Sequence, residues 1–412
     1  MDTYHQIIQI LVAVYSGANL KLELAKYASD QHSAKLKHHC FGILRNYYAI
    51  NYILQSLLKR PVASVQLKII LQIAIFEIKY STKPDYAVTN DLVNLTREVF
   101  IKDKFTALVN GVARNYIRQR AKFEVEIEKN YSLKYNLPEW FITKLKKQYK
   151  GNYSEILSGF DHHPGFGLRV NPLKIEFDAY LNLLTTAGIE YGVVDSKLYL
   201  PMACDVFQLP NFDQGYVSVQ DIAAQYGLDL LQKNTVQAQR VLDACAAPGG
   251  KTCQLAENLS VQLTALDINV DRVSQIQTNL QRLGLSAVTL LGDAATKSWW
   301  DGAEFDLILA DVPCSATGTI KRNPDIKLNR SAADLSNFVT TQRSIVNNLW
   351  TMLKPNGFML YITCSIFHEE NQANISWFKD NLAGFKPTDE LQIFPRAHMD
   401  SLYYALIQKT NT

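Results

Sequence analysis

The first 130 residues carry their hydrophobic positions at helical spacing. In one clear case apolar residues at i, i+1, i+4, i+5 and i+8 share one face of a helix: Ile7, Ile8, Leu11, Val12 and Tyr15. Similar faces recur in three later segments: 65–78, 92–100 and 105–117. Strand-like alternation of apolar and polar residues is rare here. We therefore predict that residues 1–130 form an all-α bundle.

The pattern changes between residues 131 and 220. The segment LPEWFITKLKKQY predicts an amphipathic helix entered at Pro138, and a second helix is predicted over 177–186. Two short alternating pieces, YGVVD and KLYL, are typical of strands. The stretch GYVSVQDIAAQYGLDLL then passes from a strand into a helix. We predict a small α+β domain over 131–220.

From about residue 237 strands alternate with helices. Five apolar runs have the length of strands: VLDAC, LTALDI, AVTLLGD, FDLILADV and GFMLYITC. Helical stretches are predicted between them at 250–259, 270–283 and 339–353. This alternation predicts a parallel sheet covered on both faces, within an α/β domain over 221–412. Ligands of such sheets bind beyond the carboxyl ends of the strands, so the strand-ending residues become the site candidates.

The first strand of this domain ends in DACAAPGGKT. Small residues and glycines let a ligand approach the backbone, and the following helix offers N–H groups to a carboxylate or phosphate. The segment matches neither G-x-x-x-x-G-K-[ST] nor G-x-G-x-x-G, so neither a P-loop nor an ordinary dinucleotide site is indicated. Taken alone, it is also compatible with a tight turn that binds nothing.

Acidic residues follow the next two strands. Asp267 ends the second strand 17 residues after Gly250, close to the offset of about 20 residues for an acid that binds ribose hydroxyls. Asp293 ends the third strand, where it can reach an adenine edge. A single acid of this kind is usually an Asx cap. Together with the Gly-rich loop after the first strand, the two acids give three consecutive strand ends that favour an adenosine cofactor. The lack of a phosphate-binding sequence favours S-adenosylmethionine.

The fourth and fifth strands end in DVPC and TCS. If these strands are neighbours, Cys314 and Cys364 lie on the same rim beside the cofactor. A redox disulfide is one alternative, although neither cysteine has the C-x-x-C context of such sites. Methyltransferases that act on amino groups usually have Asp/Asn-Pro-Pro-aromatic at this fourth strand. A thiol replaces the aromatic residue here, which favours a carbon acceptor.

Two thiols suit methylation of carbon 5 of a pyrimidine, which is a poor nucleophile. A thiolate that adds to carbon 6 makes carbon 5 nucleophilic, and this splits one difficult step into two. The second thiol can assist release of the product, and Asp311 can hold or protonate the N3 edge of the base. The residues alone do not decide which thiol adds.

Composition excludes several classes of protein. No stretch of the 412 residues reaches the roughly 18 uninterrupted apolar residues of a membrane span, and the start MDTYHQ lacks the positive charge of a secretory signal. The six cysteines contain no C-x-x-C pair, so neither a zinc site nor a disulfide framework is expected. We predict a cytoplasmic protein with no metal ion and no membrane partner.

The net charge of +3 is unevenly distributed. Residues 1–130 hold 18 Lys and Arg against 11 Asp and Glu, a balance of +7. The balances of 131–220 (8 against 9) and 221–412 (16 against 19) are −1 and −3. A basic N-terminal domain favours a polyanionic partner such as nucleic acid, although many helical surfaces are also rich in lysine.

Five segments carry a resemblance to a known family: SVQD (218–221), CAAPGGKT (245–252), DVPCSATG (311–318), NPDIK (323–327) and TCSIFHEEN (363–371). Together they resemble the RNA cytosine-C5 methyltransferases that have two active-site cysteines. The N-terminal part, with FTALVNGVARNYIR near its end, is similar to the NusB-like RNA-binding domain. The combination is typical of the bacterial 16S rRNA branch, the Sun/Fmu (RsmB) type. It implies a NusB-like bundle, a small α+β linker domain and a Rossmann-like class I methyltransferase domain.

The resemblance also implies roles within the site. Cys364 becomes the nucleophile and Cys314 the thiol that assists release. A helix start expected near His368 would favour the thiolate form of Cys364. The cofactor-binding residues of the family correspond to the loop after the first strand and to the acids at the strand ends. These are Cys245, Ala246, Ala247, Pro248, Gly249, Gly250, Lys251, Asp267, Asp293 and Asp311.

The expected substrate is a cytosine of 16S rRNA, free or in a 30S precursor, methylated by a monomer with S-adenosylmethionine. The same chemistry on tRNA or 23S rRNA remains an alternative, because the motifs do not name the RNA. Another alternative is a non-catalytic NusB-like RNA-binding or antitermination factor, but the intact cysteines and acids argue against it. Near the C-terminus, DSLYYALI stands where the family usually has a DGFF-like stretch, which leaves the packing of the last strand open.

Overall fold

The computed structural model describes residues 3–29, 31–100 and 105–411. The chain forms two compact units. The helical unit comprises residues 1–150 and 320–332, and the sheet unit comprises residues 151–319 and 333–412. The outer limits predicted for the first and last domains, residues 1 and 412, lie outside the described residues.

The helical unit is built from amphipathic helices, as the spacing of its apolar residues predicts. Its N-terminal part contains α1 Thr3–Tyr15, α2 Leu20–Ala25, α3 Ser33–Arg45, α4 Tyr47–Leu57, α5 Val65–Tyr80, α6 Asp85–Val99, α7 Thr106–Glu128, α8 Tyr131–Lys134 and α9 Glu139–Gln148. The predicted faces turn inward, since Ile7 and Leu11 of α1, Ile70 of α5 and Val109 of α7 are all fully buried in one core. The predicted all-α bundle is confirmed.

The sheet unit begins with a small α+β region. It contains α10 Tyr153–Phe160, β1 Phe166–Val170, α11 Phe177–Thr186, β2 Gly192–Val194, β3 Lys197–Leu200 and β4 Val217–Val219. The strands form an antiparallel sheet in the order β2-β3-β1-β4. Leu168 of β1 and Tyr180 of α11 are fully buried in its core. The predicted α+β character and the predicted helix over 177–186 are confirmed.

The remaining elements of the sheet unit form a seven-stranded sheet with flanking helices. They are α12 Ile222–Lys233, β5 Arg240–Ala244, α13 Gly250–Asn258, β6 Gln262–Asp267, α14 Val270–Leu283, β7 Val288–Leu291, β8 Phe305–Asp311, α16 Asp334–Thr351, β9 Leu353–Thr363, α17 Gln372–Asn381, β10 Phe385–Ile393 and β11 Leu402–Lys409. The strand order is β10-β11-β9-β8-β5-β6-β7.

The predicted parallel sheet is confirmed for its five strands, and two further strands, β10 and β11, extend it. The five predicted strands are present and pair in parallel. β11, however, runs antiparallel to β9 and to β10. β11 carries the unusual DSLYYALI segment, and Tyr403 and Tyr404 are fully buried within it. The sheet is therefore mixed, with the C-terminal strand inserted beside β9.

Both faces of the large sheet are covered, as predicted. Alternate strand residues point to opposite faces. Leu242 and Ile308 pack in one core with α16 and α17, whereas Val241 and Leu307 pack in another with α12. This two-sided burial explains why the predicted strands read as continuous apolar runs. Among the described residues, no helix combines the length and apolar character that crossing a membrane requires.

A segment from the C-terminal half of the chain belongs to the helical unit. Residues 320–332, which include the short helix α15 Ile326–Asn329 and the NPDIK motif, pack with the N-terminal helices. Lys327 is buried, and its Nζ donates to the carbonyl oxygens of Arg45 (2.7 Å) and Asn136 (2.8 Å). Asp325 accepts a hydrogen bond from the backbone N–H of Leu20 (3.3 Å). These contacts satisfy polar groups that would be costly to bury unpaired.

Candidate active site

The loop between β5 and α13 contains two backbone conformations that set its shape. Cys245 adopts a positive φ of 60°, and Gly249, at the N-cap of α13, has φ 97°. A Cβ at Gly249 would lie 3.2 Å from the Cα of Ile276, so the conformation and the close helix both require glycine there. The N–H of Gly249 donates to the carbonyl of Ala246 (2.8 Å), which closes the turn. The predicted tight strand-to-helix loop is present.

Side chains from elsewhere in the sheet unit hold the carbonyls of this loop. Arg272 donates to the Ala247 oxygen and Asn279 to the Pro248 oxygen, both at 2.9 Å. Arg169 of β1 donates to the Gly250 oxygen at 2.8 Å and forms a buried ion pair with Glu257 of α13 at 2.7 Å. Sequence reasoning missed these residues because their partners are distant in the chain and no motif marks them.

Asp267, the last residue of β6, links this strand to the loop that follows β5. It is 2% exposed, and its carboxylate accepts hydrogen bonds from the backbone N–H groups of Ala247 and Asn269, both at 3.1 Å. A carboxylate offers about four acceptor positions, so two remain for a ligand after these bonds. Asp293 also follows its strand, and it accepts from the N–H of Ala295 at 2.8 Å. That contact is an Asx turn, the ordinary role of such an acid.

Asp311, the last residue of β8, forms an ion pair with Lys251 at the start of α13. The Lys251 Nζ lies 2.7 Å from the Asp311 carboxylate. Burial alone would lower the pKa of Lys251, but the charge and hydrogen bond of Asp311 outweigh it and raise this pKa above its ordinary value. Lys251 therefore stays charged and fixes the carboxylate of Asp311. The structure thus joins the predicted cofactor loop to the predicted catalytic acid.

Cys314 and Cys364 come together at the rim of the sheet. β8 and β9 are parallel neighbours, with Asp311 opposite Ile362, and the two sulfur atoms lie 3.1 Å apart. A disulfide has an S–S distance of about 2.05 Å, so this is a non-bonded contact, and both cysteines are free. The backbone N–H of Cys364 also donates to the sulfur of Cys314 at 3.3 Å. The predicted juxtaposition of the thiols is present.

The pKa of the Cys314 thiol lies well above its ordinary value. The hydrogen bond with Cys364 is the largest cause, burial adds to it, and the negative charge of Glu370 acts in the same direction. A thiol in this state keeps its proton at neutral pH.

The expected helix start near His368 is wrong. α17 begins at Gln372, and residues 364–371 form loops and turns. The helix therefore starts four residues later than expected, and its N-cap residue, Asn371, bonds to Thr363 (2.5 Å) and to the carbonyl of Ser365 (3.0 Å). The turn is fixed by other contacts, including the bond from the Gly318 N–H to the Cys364 carbonyl at 2.8 Å.

Comparisons with known proteins identify the family. Residues 230–408 match the family described as 16S rRNA methyltransferase RsmB/F, residues 3–118 match the NusB family, and residues 137–207 match an RsmF/B-like ferredoxin-like domain. The Ribosomal RNA small subunit methyltransferase B of Shewanella oneidensis is 38% identical over 401 residues, covering 93% of this chain and 92% of that protein. The chain belongs to the family of these small-subunit rRNA methyltransferases. The protein of the same name from Pasteurella multocida is 36% identical, covering 91% of this chain and 85% of its own.

The fold agrees with this membership. The crystal structure of the protein PH0851 matches with a TM-score of 0.76 and 21% identity, over 99% of both chains. The chain is accordingly an rRNA methyltransferase whose methyl donor is S-adenosylmethionine. The described residues contain no group of three or more His, Cys, Asp or Glu side chains that could hold a metal ion.

The residues present suit this donor. Asp267 keeps two acceptor positions that can bind ribose hydroxyls, at the end of the strand next to the cofactor loop. Asp267 also lies 3.6 Å from the guanidinium of Arg272, and Asp311 is paired with Lys251. Asp243, buried below them, has its pKa raised to about 7 by burial despite a hydrogen bond from Thr252.

Proposed function

We propose that this methyltransferase transfers the methyl group to carbon 5 of a cytosine in 16S rRNA, through a covalent bond between Cys364 and carbon 6. The contact that carries the proposal is the 3.1 Å separation of two free thiols at the ends of neighbouring parallel strands. A carbon-5 acceptor needs a nucleophile and help with release, and this pair supplies both. S-adenosylmethionine supplies an electrophilic methyl group when bound.

The chain's residues act in a defined order in this proposal. The thiolate of Cys364 adds to carbon 6, and Asp311 holds the N3 edge as electrons enter the ring. After carbon 5 is methylated, the Cys314 sulfur, as a thiolate, takes the carbon-5 proton, and the bond between carbon 6 and the Cys364 sulfur breaks. This restores the ring double bond and returns the Cys364 thiolate. Cys314, 3.1 Å from that sulfur, assists these last steps.

The protonation of Cys314 supports this division of roles. A thiol whose pKa lies well above its ordinary value is a poor first nucleophile, because the thiolate is the reactive form. The largest cause of that high pKa, the hydrogen bond with the Cys364 sulfur, is lost once this sulfur is bonded to carbon 6, so Cys314 can then lose its proton to solvent and act as the base. We therefore assign addition to Cys364 and release to Cys314.

We further propose three functional modules: an RNA-binding bundle at 1–130, an RNA-binding linker domain at 131–220 and the catalytic domain at 221–412. The matches to the NusB family and to a ferredoxin-like domain over 3–118 and 137–207 support the first two. A base must leave its stack to reach two thiols on a sheet rim, so the target is an unpaired cytosine. The substrate is 16S rRNA, free or within a 30S precursor, modified by a cytoplasmic monomer.

The experiment is methyl transfer from radiolabelled S-adenosylmethionine to unmodified 30S particles, 16S rRNA, 23S rRNA and tRNA, followed by mapping of the modified base. We expect label on carbon 5 of one cytosine in 16S rRNA. Label on tRNA or 23S rRNA would contradict the substrate assignment. Label on another atom would contradict the mechanism. Absence of transfer to every RNA would favour an RNA-binding factor without catalysis.

Replacing Asp267 by alanine should weaken S-adenosylmethionine binding. Two ribose hydroxyls lose a charged acceptor, which costs about 1.5–3 kcal/mol, or a roughly 10- to 150-fold higher Kd. Titration calorimetry measures the change. The exposed Asp271, in the first turn of α14, provides a control, and Asp271→Ala should leave the Kd unchanged. Equal affinities of Asp267→Ala and the unaltered protein would overturn the cofactor assignment.

Removing two positive charges from the bundle should reduce the salt dependence of RNA binding. Lys59 and Arg60 are exposed in the loop between α4 and α5. If both contact phosphates, Lys59→Gln/Arg60→Gln should weaken binding and lower the slope of log K against log salt by up to about 1.4. The charge-preserving Lys59→Arg/Arg60→Lys protein should keep the slope. An unchanged slope in the glutamine variant would place the RNA contacts of the bundle elsewhere.

A further inference from the structure

A fully buried carboxylate lies behind the two thiols. Glu370 is 0% exposed, and its two oxygens accept four hydrogen bonds. One oxygen accepts from the backbone N–H of Ser315 (2.8 Å) and from Gln342 (3.0 Å). The other accepts from the hydroxyl groups of Ser315 (2.5 Å) and Ser365. An ionised carboxylate is an acceptor-only group with about four positions, so it satisfies all four donors.

The partners of Glu370 are the immediate neighbours of the thiols. Ser315 follows Cys314, and Ser365 follows Cys364. Both turns lie outside regular helices and strands, and a backbone hydrogen bond from the Gly318 N–H to the Cys364 carbonyl also joins them. We propose that Glu370 is a positioning residue that clamps the two cysteine-bearing turns together and so sets the contact between the sulfur atoms. The inference rests on the proposed two-thiol mechanism.

Further contacts make this clamp rigid. The hydroxyl of Thr317 lies 3.1 Å from that of Ser315 and 3.2 Å from that of Ser365. The carbonyl of Glu370 accepts a hydrogen bond from the buried Tyr361 hydroxyl at 2.7 Å. The carboxylate of Glu370 therefore joins the turn after β8 to the turn after β9, and its backbone carbonyl adds β9 to the same buried network. Such networks stabilise a single arrangement when every member is satisfied.

A glutamine at position 370 weakens these contacts. Its oxygen can still accept from the Ser315 N–H and from Gln342, which share one carboxylate oxygen. Its NH₂ group, however, faces the two serine hydroxyls, which must turn from donors into acceptors, and the negative charge that strengthens all four bonds is lost. We expect the two turns to loosen in Glu370→Gln, and a displacement of about 1 Å at reacting groups can cost roughly 100-fold in rate.

Glu370→Gln should therefore lower kcat for methyl transfer about 100-fold while the Kd for S-adenosylmethionine changes less than twofold. The matched control is Glu369→Gln, which makes the same chemical change one residue earlier and should leave kcat unchanged. A fall in kcat that came entirely from weaker cofactor binding, or an equal fall in the control, would overturn the clamp.

A second readout needs no RNA and no methyl transfer. The charge of Glu370 helps to raise the pKa of Cys314, so Glu370→Gln should let iodoacetamide alkylate Cys314 at lower pH. Mass spectrometry of the full-length protein over a pH series measures the shift for each cysteine. If the unaltered protein methylates no RNA, the proposed function fails, yet this profile still tests the clamp. An unchanged profile together with an unchanged kcat would refute the inference.

Two variants that each remove one hydrogen bond to Glu370 test the proposal if Glu370→Gln does not fold. Ser315→Ala and Ser365→Ala each remove one hydroxyl donor and leave the carboxylate in place. Each should lower kcat by a smaller factor than Glu370→Gln, without changing the Kd for S-adenosylmethionine. Combining either with Glu370→Gln should add little, because both changes break the same link. Kcat values equal to that of the unaltered protein in both serine variants would contradict the clamp.

Discussion

Cys364→Ala should abolish methyl transfer and should form no covalent protein–RNA adduct. Without the Cys364 sulfur, carbon 6 has no nucleophile and carbon 5 is not activated. Loss of a covalent nucleophile lowers kcat by several orders of magnitude, on the order of 10⁴-fold or more. Radiolabel transfer and denaturing gels with substrate RNA measure both effects.

Cys204→Ala is the matched control for this change. Cys204 is a half-buried free cysteine in the small α+β region of the sheet unit. Its replacement should leave both the rate and the adduct intact. Methyl transfer by Cys364→Ala at a rate near that of the unaltered protein would mean that Cys364 is not the nucleophile.

Cys314→Ala should add to the base and methylate it but fail to release the product. The expected result is a protein–RNA complex that survives denaturation, requires S-adenosylmethionine and approaches one RNA per protein. Multiple-turnover rates should fall by about 10³-fold or more, while a single round of labelling persists. Single-turnover labelling against steady-state turnover separates the two steps.

The core of the catalytic domain could be predicted because both faces of its sheet are buried. Strands such as β5 and β8 are then continuous apolar runs, which are easy to recognise in a sequence. Their order along the chain gives parallel pairing, and parallel pairing brings strand ends to one rim. The meeting of Cys314 with Cys364 follows from that topology alone.

The strand β10 was not predicted, for a physical reason. β10 reads FKPTDELQI and pairs only with β11, so it is an edge strand. Edge strands tolerate charges and proline because one side makes no ladder hydrogen bonds. Because of Pro387 and the nearby acids, this segment lacks the apolar pattern by which a strand is recognised in a sequence. The buried pair Tyr403 and Tyr404 shows that β11 is central instead.

The error near His368 has a similar origin. The run HEEN resembles the acidic first turn of a helix, in which carboxylates usually face solvent. Glu370 instead turns inward to accept hydrogen bonds from two serines that lie 55 and 5 residues away in sequence. Spacing along one segment cannot reveal such partners. The same limit applies to Arg169 with Glu257 and to Lys327 with the helical unit.

The most direct test of the two-thiol account is a denaturing gel of Cys314→Ala and Cys364→Ala incubated with substrate RNA, with and without S-adenosylmethionine. The account predicts a trapped protein–RNA band with Cys314→Ala only, and only when S-adenosylmethionine is present. A band with Cys364→Ala and none with Cys314→Ala would reverse the two roles. No band with either variant would contradict covalent catalysis by this pair.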